Sequence, residues 1–211
     1  MRGAPADPLL QVEGLTFSYP TRHVFESWSM AFGRGATSLQ GPNGSGKSTL
    51  LKLLAGALSP SRGRRAVLGI DADRHPLEYR RHVFWCGPGP LPFDHLLARE
   101  YLGFLRGLYP RFDHDQVPGH IDGFGLSAFM ASPLRELSTG SQRKLAITAA
   151  LAVGTPVVLL DEPLSGLDEP SLRYAVSALR MAWTAPTQAW VIASHEPLSE
   201  NEHRLRRISV P

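Results

Sequence analysis

The chain has 211 residues, of which 43% are hydrophobic and 19% charged, a balance typical of a globular domain that can bury a core. The net charge is only +3 and the basic residues lie in small scattered groups, so nucleic acid is not the expected partner. Without an apolar run near the roughly 18 residues of a membrane span, an N-terminal leader or a second cysteine beside Cys86, we expect a cytoplasmic protein.

The first part of the chain contains short strands and one glycine-rich turn. Residues 9–19 and 36–40 have the composition of strands. The turn at residues 41–46 leads into leucines that suit one face of a helix, namely Leu50, Leu51, Leu54 and Leu58. Residues 82–86, with the sequence HVFWC, are typical of a buried strand.

Helical patterns then fill the middle third, followed by a renewed alternation of strands and helices. Residues 95–108 carry apolar side chains at helical spacing, and residues 110–136 are helical in pattern but interrupted by proline and glycine. The later predicted elements are a helix over 141–153, a strand over 156–160, a helix around 172–183 and a buried strand over 189–194.

Continuous apolar strands that alternate with helices predict the α/β class, with a mostly parallel sheet covered on both faces. The helical stretch at about 90–138 is predicted to be an insertion into that core. We therefore expect one domain over residues 1–211 with a helical arm, and not two independent domains.

A phosphate-binding loop is predicted at GPNGSGKS, residues 41–48, which follows a strand and begins a helix. In this pattern glycines let backbone N–H groups turn toward phosphate oxygens, and the helix N-terminus adds its positive dipole. Lys47 is expected to reach the β- and γ-phosphates, Ser48 to bind Mg²⁺ and Thr49 to contact the α-phosphate. The predicted ATP-binding residues of this segment are Gly41, Pro42, Asn43, Gly44, Ser45, Gly46, Lys47, Ser48 and Thr49.

Two further strands end in residues that suit phosphate chemistry. The run VVLLDE (157–162) delivers Asp161 to the carboxyl end of a strand, where α/β sheets place their ligands. Asp161 is expected to hold Mg²⁺, and Glu162 to position or deprotonate an attacking water; the alternative is a simple helix cap. The run VIASH ends in His195, for which a γ-phosphate contact and a structural role are both open.

These motifs resemble, in this order, those of the nucleotide-binding subunits of ABC transporters. The segment LSTGS (137–141) stands before the Asp-Glu strand and SGLD (165–168) stands after it. The resemblance extends from about residue 9 to 197 and is greatest to the short ATPases of bacterial exporters. It implies a P-loop NTPase (RecA-like) core, an N-terminal antiparallel β subdomain and an inserted α-helical subdomain.

The resemblance also implies roles for residues outside the phosphate loop. Ser138 and Gly140 align with the family's LSGGQ signature, whose helix N-terminus faces the γ-phosphate of ATP bound to the other subunit. Thr139 and Ser141 depart from that motif. Asp168 would lie at the subunit interface, and Tyr19 would stack on adenine.

The hinge between core and arm departs from the family pattern more strongly. The segment after the hinge, DHLLAREYL (94–102), aligns so that the family's Mg²⁺- and water-binding glutamine falls on Pro88. No glutamine occurs between residues 41 and 115. Because proline fixes φ, we expect a stiffer link into the arm. Water or a neighbouring group would fill the place of the glutamine.

Three functions are compatible with these residues. The first is an ATP- and Mg²⁺-dependent ATPase, peripheral on the cytoplasmic face of the inner membrane. It would pair with a second ATPase subunit, identical or related, and power export through an integral membrane permease. The second is a non-transport ABC-type ATPase that acts on DNA or ribosomes. The third is a catalytically weak ATP-binding partner of a heterodimeric transporter.

Overall fold

The structure is a computed structural model that describes residues 7–184, 187–194 and 205–210. The strands of this part of the chain form two sheets. The first sheet consists of β1 (Leu10–Tyr19), β2 (Arg22–Phe32), β4 (Arg62–Val67) and β5 (Ile70–Asp71). Its spatial order is β2-β1-β4-β5 and every pairing is antiparallel, as the family resemblance implied for the N-terminal region.

The second sheet is parallel throughout and carries the strands that were predicted to be buried. It consists of β3 (Gly35–Gln40), β6 (Val83–Cys86), β7 (Val157–Asp161), β8 (Ala189–Ala193) and β9 (Arg206–Ser209). The spatial order is β6-β7-β8-β3-β9. The carboxyl ends of β3, β7 and β8 therefore meet at one edge of the sheet.

The central strand β7 is buried on both faces, and its side chains alternate between two apolar cores. Val157 and Leu159 face the core formed with the antiparallel sheet, whereas Val158 and Leu160 face the core formed with the later helices. This double burial is the physical reason for the uninterrupted apolar run in the sequence. The predicted α/β fold with a P-loop NTPase core is confirmed.

Helices cover the parallel sheet and form the arm. The described helices are α1 (Lys47–Leu54), α2 (Pro76–Arg81), α3 (Ala98–Leu108), α4 (Val117–Gly123), α5 (Thr139–Ala152) and α6 (Glu169–Thr184). Two short 3₁₀ turns, Ser127–Phe129 and Leu134–Glu136, complete the arm. The prolines and glycines of residues 110–136 do break that stretch into short pieces, because proline cannot continue a helix interior.

Several elements differ from the sequence-based prediction. Helix α5 begins at Thr139, two residues before the predicted start near 141, since the Ser138 hydroxyl accepts a hydrogen bond from the backbone N–H of Ser141 and caps the helix there. The sequence reasoning also missed β2, β4, β5, α2 and β9. Strand β4 has the sequence RGRRAV, in which arginine and glycine take the place of the apolar or alternating residues that predict a strand.

The two ends of the arm lie side by side. Backbone N–H groups of Leu134 and Arg135, at the exit, donate to the carbonyls of Leu96 and Asp94 at the entrance. The apolar side chains of α3 and α4 pack into the same core cluster as α5 and α6. The arm is therefore anchored both at its base and along its inner face.

A stability prediction arises at the turn after α5. Gly154 has φ +64°, and a Cβ there would lie 2.2 Å from the Arg111 carbonyl oxygen. Gly154→Ala should lower the free energy of unfolding by about 1–3 kcal/mol for the backbone strain alone. Gly103→Ala, inside α3 with open space around it, should instead raise it by about 0.5–1 kcal/mol. Urea unfolding of both variants measures these changes, and equal effects of the two substitutions would contradict the prediction.

Candidate active site

The loop between β3 and α1 has the backbone that a phosphate cradle requires. Gly46, the residue before α1, has φ +104°, and a Cβ there would lie 2.7 Å from the Val24 side chain. Within the described ranges no side chain caps α1, and its first turn contains no acidic residue. The first N–H groups of this helix are therefore left for an anionic ligand.

Lys47 lies folded over the loop. Its Nζ donates to the carbonyl oxygens of Gly41 at 2.7 Å and Pro42 at 3.1 Å, and the residue is only 7% exposed. These carbonyls hold the ammonium group at the mouth of the cradle. A phosphate entering the loop would offer the same cation a stronger, charge-assisted partner.

Asp161 ends β7 in a buried position next to the start of α1. It is 1% exposed, and its Oδ2 has no hydrogen-bond partner in the described part of the chain. Burial raises the pKa of Asp161, and the Ser48 side chain opposes this rise as a hydrogen-bond donor. A buried carboxylate oxygen without a partner, beside a hydroxyl, fits the oxygen donors that Mg²⁺ prefers.

Glu162 leaves the sheet in a strained conformation. Its φ is +50°, in the left-handed region that side chains other than glycine rarely adopt. Its backbone N–H donates to the Ala193 carbonyl of β8 at 2.8 Å, which fixes the turn. Strain of this kind costs about 1–3 kcal/mol and is concentrated at functional sites.

Tyr19 lies beside the phosphate loop, as an adenine-stacking residue would. Its hydroxyl is 3.3 Å from Thr49 Oγ1 of α1. The ring packs edge-on against Phe17 yet remains 40% exposed. An open aromatic face thus borders the cradle; the predicted contact of Thr49 with the α-phosphate stays a prediction.

The signature segment forms a second surface at the N-terminus of α5. The Ser138 hydroxyl accepts from the Ser141 N–H at 3.1 Å and donates to the Ser141 Oγ at 3.0 Å. Ser141, which stands where the family has glutamine, therefore takes part in the cap. Gly140 packs closely on the next motif, because a Cβ there would lie 3.1 Å from the Gly166 carbonyl.

Asp168 is engaged within its own chain. Its carboxylate accepts from Lys144 Nζ at 2.7 Å and from the Ser171 N–H at 2.9 Å, which caps α6. The hydrogen bond from Lys144 holds the pKa of Asp168 well below its usual range. Contacts of Ser138, Gly140 and Asp168 with a partner subunit stay predictions, and His195 lies outside the described residues.

Two neighbouring residues of α5 that the sequence reasoning passed over bind the hinge into the arm. Arg143 donates to the carbonyls of Gly87 at 3.0 Å and Pro88 at 2.7 Å. Gln142 accepts from the backbone N–H of Leu91 at 2.9 Å. Their position directly after the LSTGS segment was the one available signal, but only the packing of α5 against β6 makes the contact evident.

The charge state of Asp161 yields a pH prediction. Its pKa lies above the ordinary 3.8, so the carboxylate form destabilises the folded state, and this loss of stability develops as the pH rises through the folded-state pKa. Asp161→Asn should therefore raise the thermal unfolding midpoint of the nucleotide-free protein at neutral pH. The gain should shrink as the pH approaches 3.8.

Thermal unfolding in EDTA at several pH values measures this difference. Asp168→Asn is the matched control. The Lys144 ammonium stabilises the charged form of Asp168, so removing this carboxylate should not raise the midpoint. A lower midpoint for Asp161→Asn at neutral pH would show that the buried carboxylate stabilises the fold.

The chain is similar in sequence to known proteins. A family model described as "ABC transporter" matches residues 26–165. The cytochrome c biogenesis ATP-binding export protein CcmA of Pseudomonas savastanoi pv. phaseolicola is 35% identical over 162 residues, 76% of this chain and 76% of that protein. The probable multidrug ABC transporter ATP-binding protein YbhF of Escherichia coli (strain K12) is 28% identical over 170 residues, 79% of this chain but 29% of that protein.

The fold of this chain is also similar to that of solved structures. "Structure of ATP binding subunit of ABC transporter" has a TM-score of 0.81 at 25% identity and covers 89% of this chain and 79% of the other. A putative ABC transporter ATP-binding protein from Pyrococcus furiosus, at 22% identity, has the same fold with a TM-score of 0.76 over 95% of this chain and 96% of the other. With a family match across most of the chain and a 35% identical relative over three quarters of both proteins, this chain belongs to the ATP-binding family of ABC transporters.

Proposed function

We propose that this chain hydrolyses ATP and thereby powers export through a separate membrane-spanning subunit. The observation that carries the proposal is that Asp161 Oδ2 is buried without a partner among the described residues, at the end of β7 and beside the Ser48 side chain at the start of α1. This arrangement unites the metal-binding carboxylate and hydroxyl of phosphoryl-transfer enzymes beside a phosphate cradle.

Nucleotide binding uses the groups of the loop. The ammonium of Lys47 leaves the carbonyls of Gly41 and Pro42 for the β- and γ-phosphate oxygens. Ser48 and Asp161 would hold Mg²⁺, which when bound would neutralise charge on these phosphates. The open ring of Tyr19 stacks on the adenine, a contact that contributes about 1–3 kcal/mol.

Hydrolysis depends on Glu162. Its carboxylate orients a water molecule for in-line attack on the γ-phosphorus and accepts a proton from it. As the new P–O bond forms, the bond to the bridging oxygen breaks, and ADP and inorganic phosphate result. Such a base contributes about 10²–10⁴-fold to the rate. The turn that fixes Glu162 limits the directions open to this carboxylate, and His195 adds a γ-phosphate contact.

Dimer closure supplies the remaining phosphate contacts. Ser138 is exposed at the N-terminus of α5, and Gly140 is half-buried beside it. In a dimer of two such chains, or of this chain and a related one, these groups face the ATP bound to the other subunit. Asp168 lies at the same interface, where its cap and its pair with Lys144 hold the loop in shape.

The proposed partner is an integral membrane permease at the cytoplasmic face of the inner membrane. In support, CcmA is named as an export protein and YbhF as a probable multidrug transporter component. None of the helices in the described part of the chain is both long enough and apolar enough to cross a bilayer.

A second candidate is a catalytically weak ATP-binding partner in a heterodimer. Pro88 at the place of the family's glutamine, and Ser141 in the signature, favour it. In that case ATP binding would mainly close the dimer. Binding without turnover by the isolated chain would distinguish this function from the first.

Glu162→Gln should lower kcat by about 10²-fold or more, because the proton acceptor is lost while the phosphate cradle is untouched. ATP affinity should survive, and ATP should then trap a dimer that gel filtration detects. Steady-state ATPase assays and calorimetric ATP titration measure the two effects. Undiminished turnover in this variant would remove Glu162 from its proposed role.

Lys47→Ala should weaken ATP binding at least about tenfold, because a charge-assisted contact to the phosphates is lost. Calorimetric titration of ATP with Mg²⁺ measures the change. Arg34→Ala, which removes an exposed cation paired with Asp7, is the control and should bind as wild type does. Equal affinities for all three proteins would place the nucleotide elsewhere.

A further inference from the structure

The hinge into the arm, residues 87–90, has no hydrogen-bonding side chain of its own. Its sequence is Gly-Pro-Gly-Pro, and the two prolines also lack backbone N–H groups. The carbonyls are therefore its principal polar groups. A side chain from elsewhere has to bind them if the hinge is to be fixed.

Arg143 provides that side chain. Its Nη1 and Nη2 donate to the Gly87 and Pro88 carbonyls at 3.0 and 2.7 Å, and the residue is only 6% exposed. A planar guanidinium can bind two neighbouring oxygens at once, which a lysine cannot do in the same geometry. Gln142 holds the far side of the hinge through the Leu91 N–H. Helix α5 thus binds the first two residues of the hinge and the residue that follows it.

The same guanidinium lies close to the metal-binding end of β7. In the parallel pairing Cys86 stands opposite Leu160, so Gly87 follows at the level of Asp161. The positive charge of Arg143 lowers the pKa of Asp161, against the larger effect of burial. Arg143 Nε and Asp161 Oδ2 are both buried without a partner among the described residues.

A cavity of about 250 Å³ lies beside the hinge and Arg143. It is lined by Pro88, Leu91, Thr139, Gln142 and Arg143, among others. The hinge, the start of the signature helix and Arg143 therefore border one space. Water could occupy it, since buried polar atoms are available.

We infer that Arg143 is a positioning residue that binds the Gly87–Pro88 hinge to the signature helix α5 and acts on Asp161 through its charge. In this role it replaces the glutamine that the family has in the hinge. The inference rests on the proposed function. A glutamine would bind the metal site directly from the hinge. Here a buried cation binds the hinge backbone instead and acts on the metal-binding carboxylate through its charge.

Hydrogen exchange of the nucleotide-free protein tests the contact with the hinge. Residues 87–92 contain only three backbone N–H groups, those of Gly87, Gly89 and Leu91, so a peptide over this range reports on the hinge alone. Arg143→Lys and Arg143→Met should both make it exchange severalfold faster. The control is Arg135→Lys, which alters an exposed arginine of the arm whose only ion pair among the described residues has a distance of 3.8 Å; it should leave the rate unchanged.

The Mg²⁺ dependence of binding of the non-hydrolysable analogue AMP-PNP tests the link to Asp161. Arg143→Met should require about tenfold more Mg²⁺, the typical effect of losing a group that supports a metal ligand. Arg143→Lys keeps the charge and should lie between this variant and wild type. A purely structural role would lower the unfolding midpoint without this graded Mg²⁺ shift.

Unchanged hinge exchange in Arg143→Lys, or an unchanged Mg²⁺ requirement in both variants, would overturn the inference. If Arg143→Met does not fold, Arg143→Lys decides both measurements. Wild-type protein that binds no nucleotide would disprove the proposed function and with it the link to Asp161. The exchange experiment would still decide whether Arg143 fixes the hinge.

Discussion

Most of this structure depends on one constraint, which is that a carboxylate has to stand at the end of a strand buried on both faces. Asp161 is 1% exposed, and burial raises its pKa. Burial of the carboxylate form therefore costs stability, a common pattern where function requires a destabilised group. Mg²⁺, held together with Ser48, would compensate for that loss, so nucleotide binding and stability are coupled at this position.

The elements around Asp161 are arranged so that its neighbours converge. Parallel pairing brings the ends of β3 and β7 to one edge of the sheet, on either side of β8. The phosphate loop follows β3, and the strained Glu162 follows β7. Both depend on turns of positive φ, and Glu162 is held there by its bond to the Ala193 carbonyl. The strain and the burial are thus properties of the same edge.

Helix α5 connects this edge with the rest of the molecule. Its first residues form the capped signature segment, and the next two, Gln142 and Arg143, bind the hinge of the arm. Lys144 then binds Asp168 in the loop before α6. Consecutive residues of one helix thus contact the hinge after β6 and the loop that follows β7. A displacement of the arm would therefore disturb all of these contacts.

Local spacing was enough to predict the phosphate loop, the Asp161–Glu162 pair and the parallel core: glycines precede Lys47, and an apolar run precedes the two acids. It did not predict β2, β4 or β9. The partners of β4 and β9, which are β1 and β3, lie far away in the chain, whereas β2 pairs with β1 directly before it. Nor could it show that Arg143 binds the hinge across more than fifty positions. Such a contact depends on how α5 packs against β6, and this packing follows from the fold as a whole and not from local spacing.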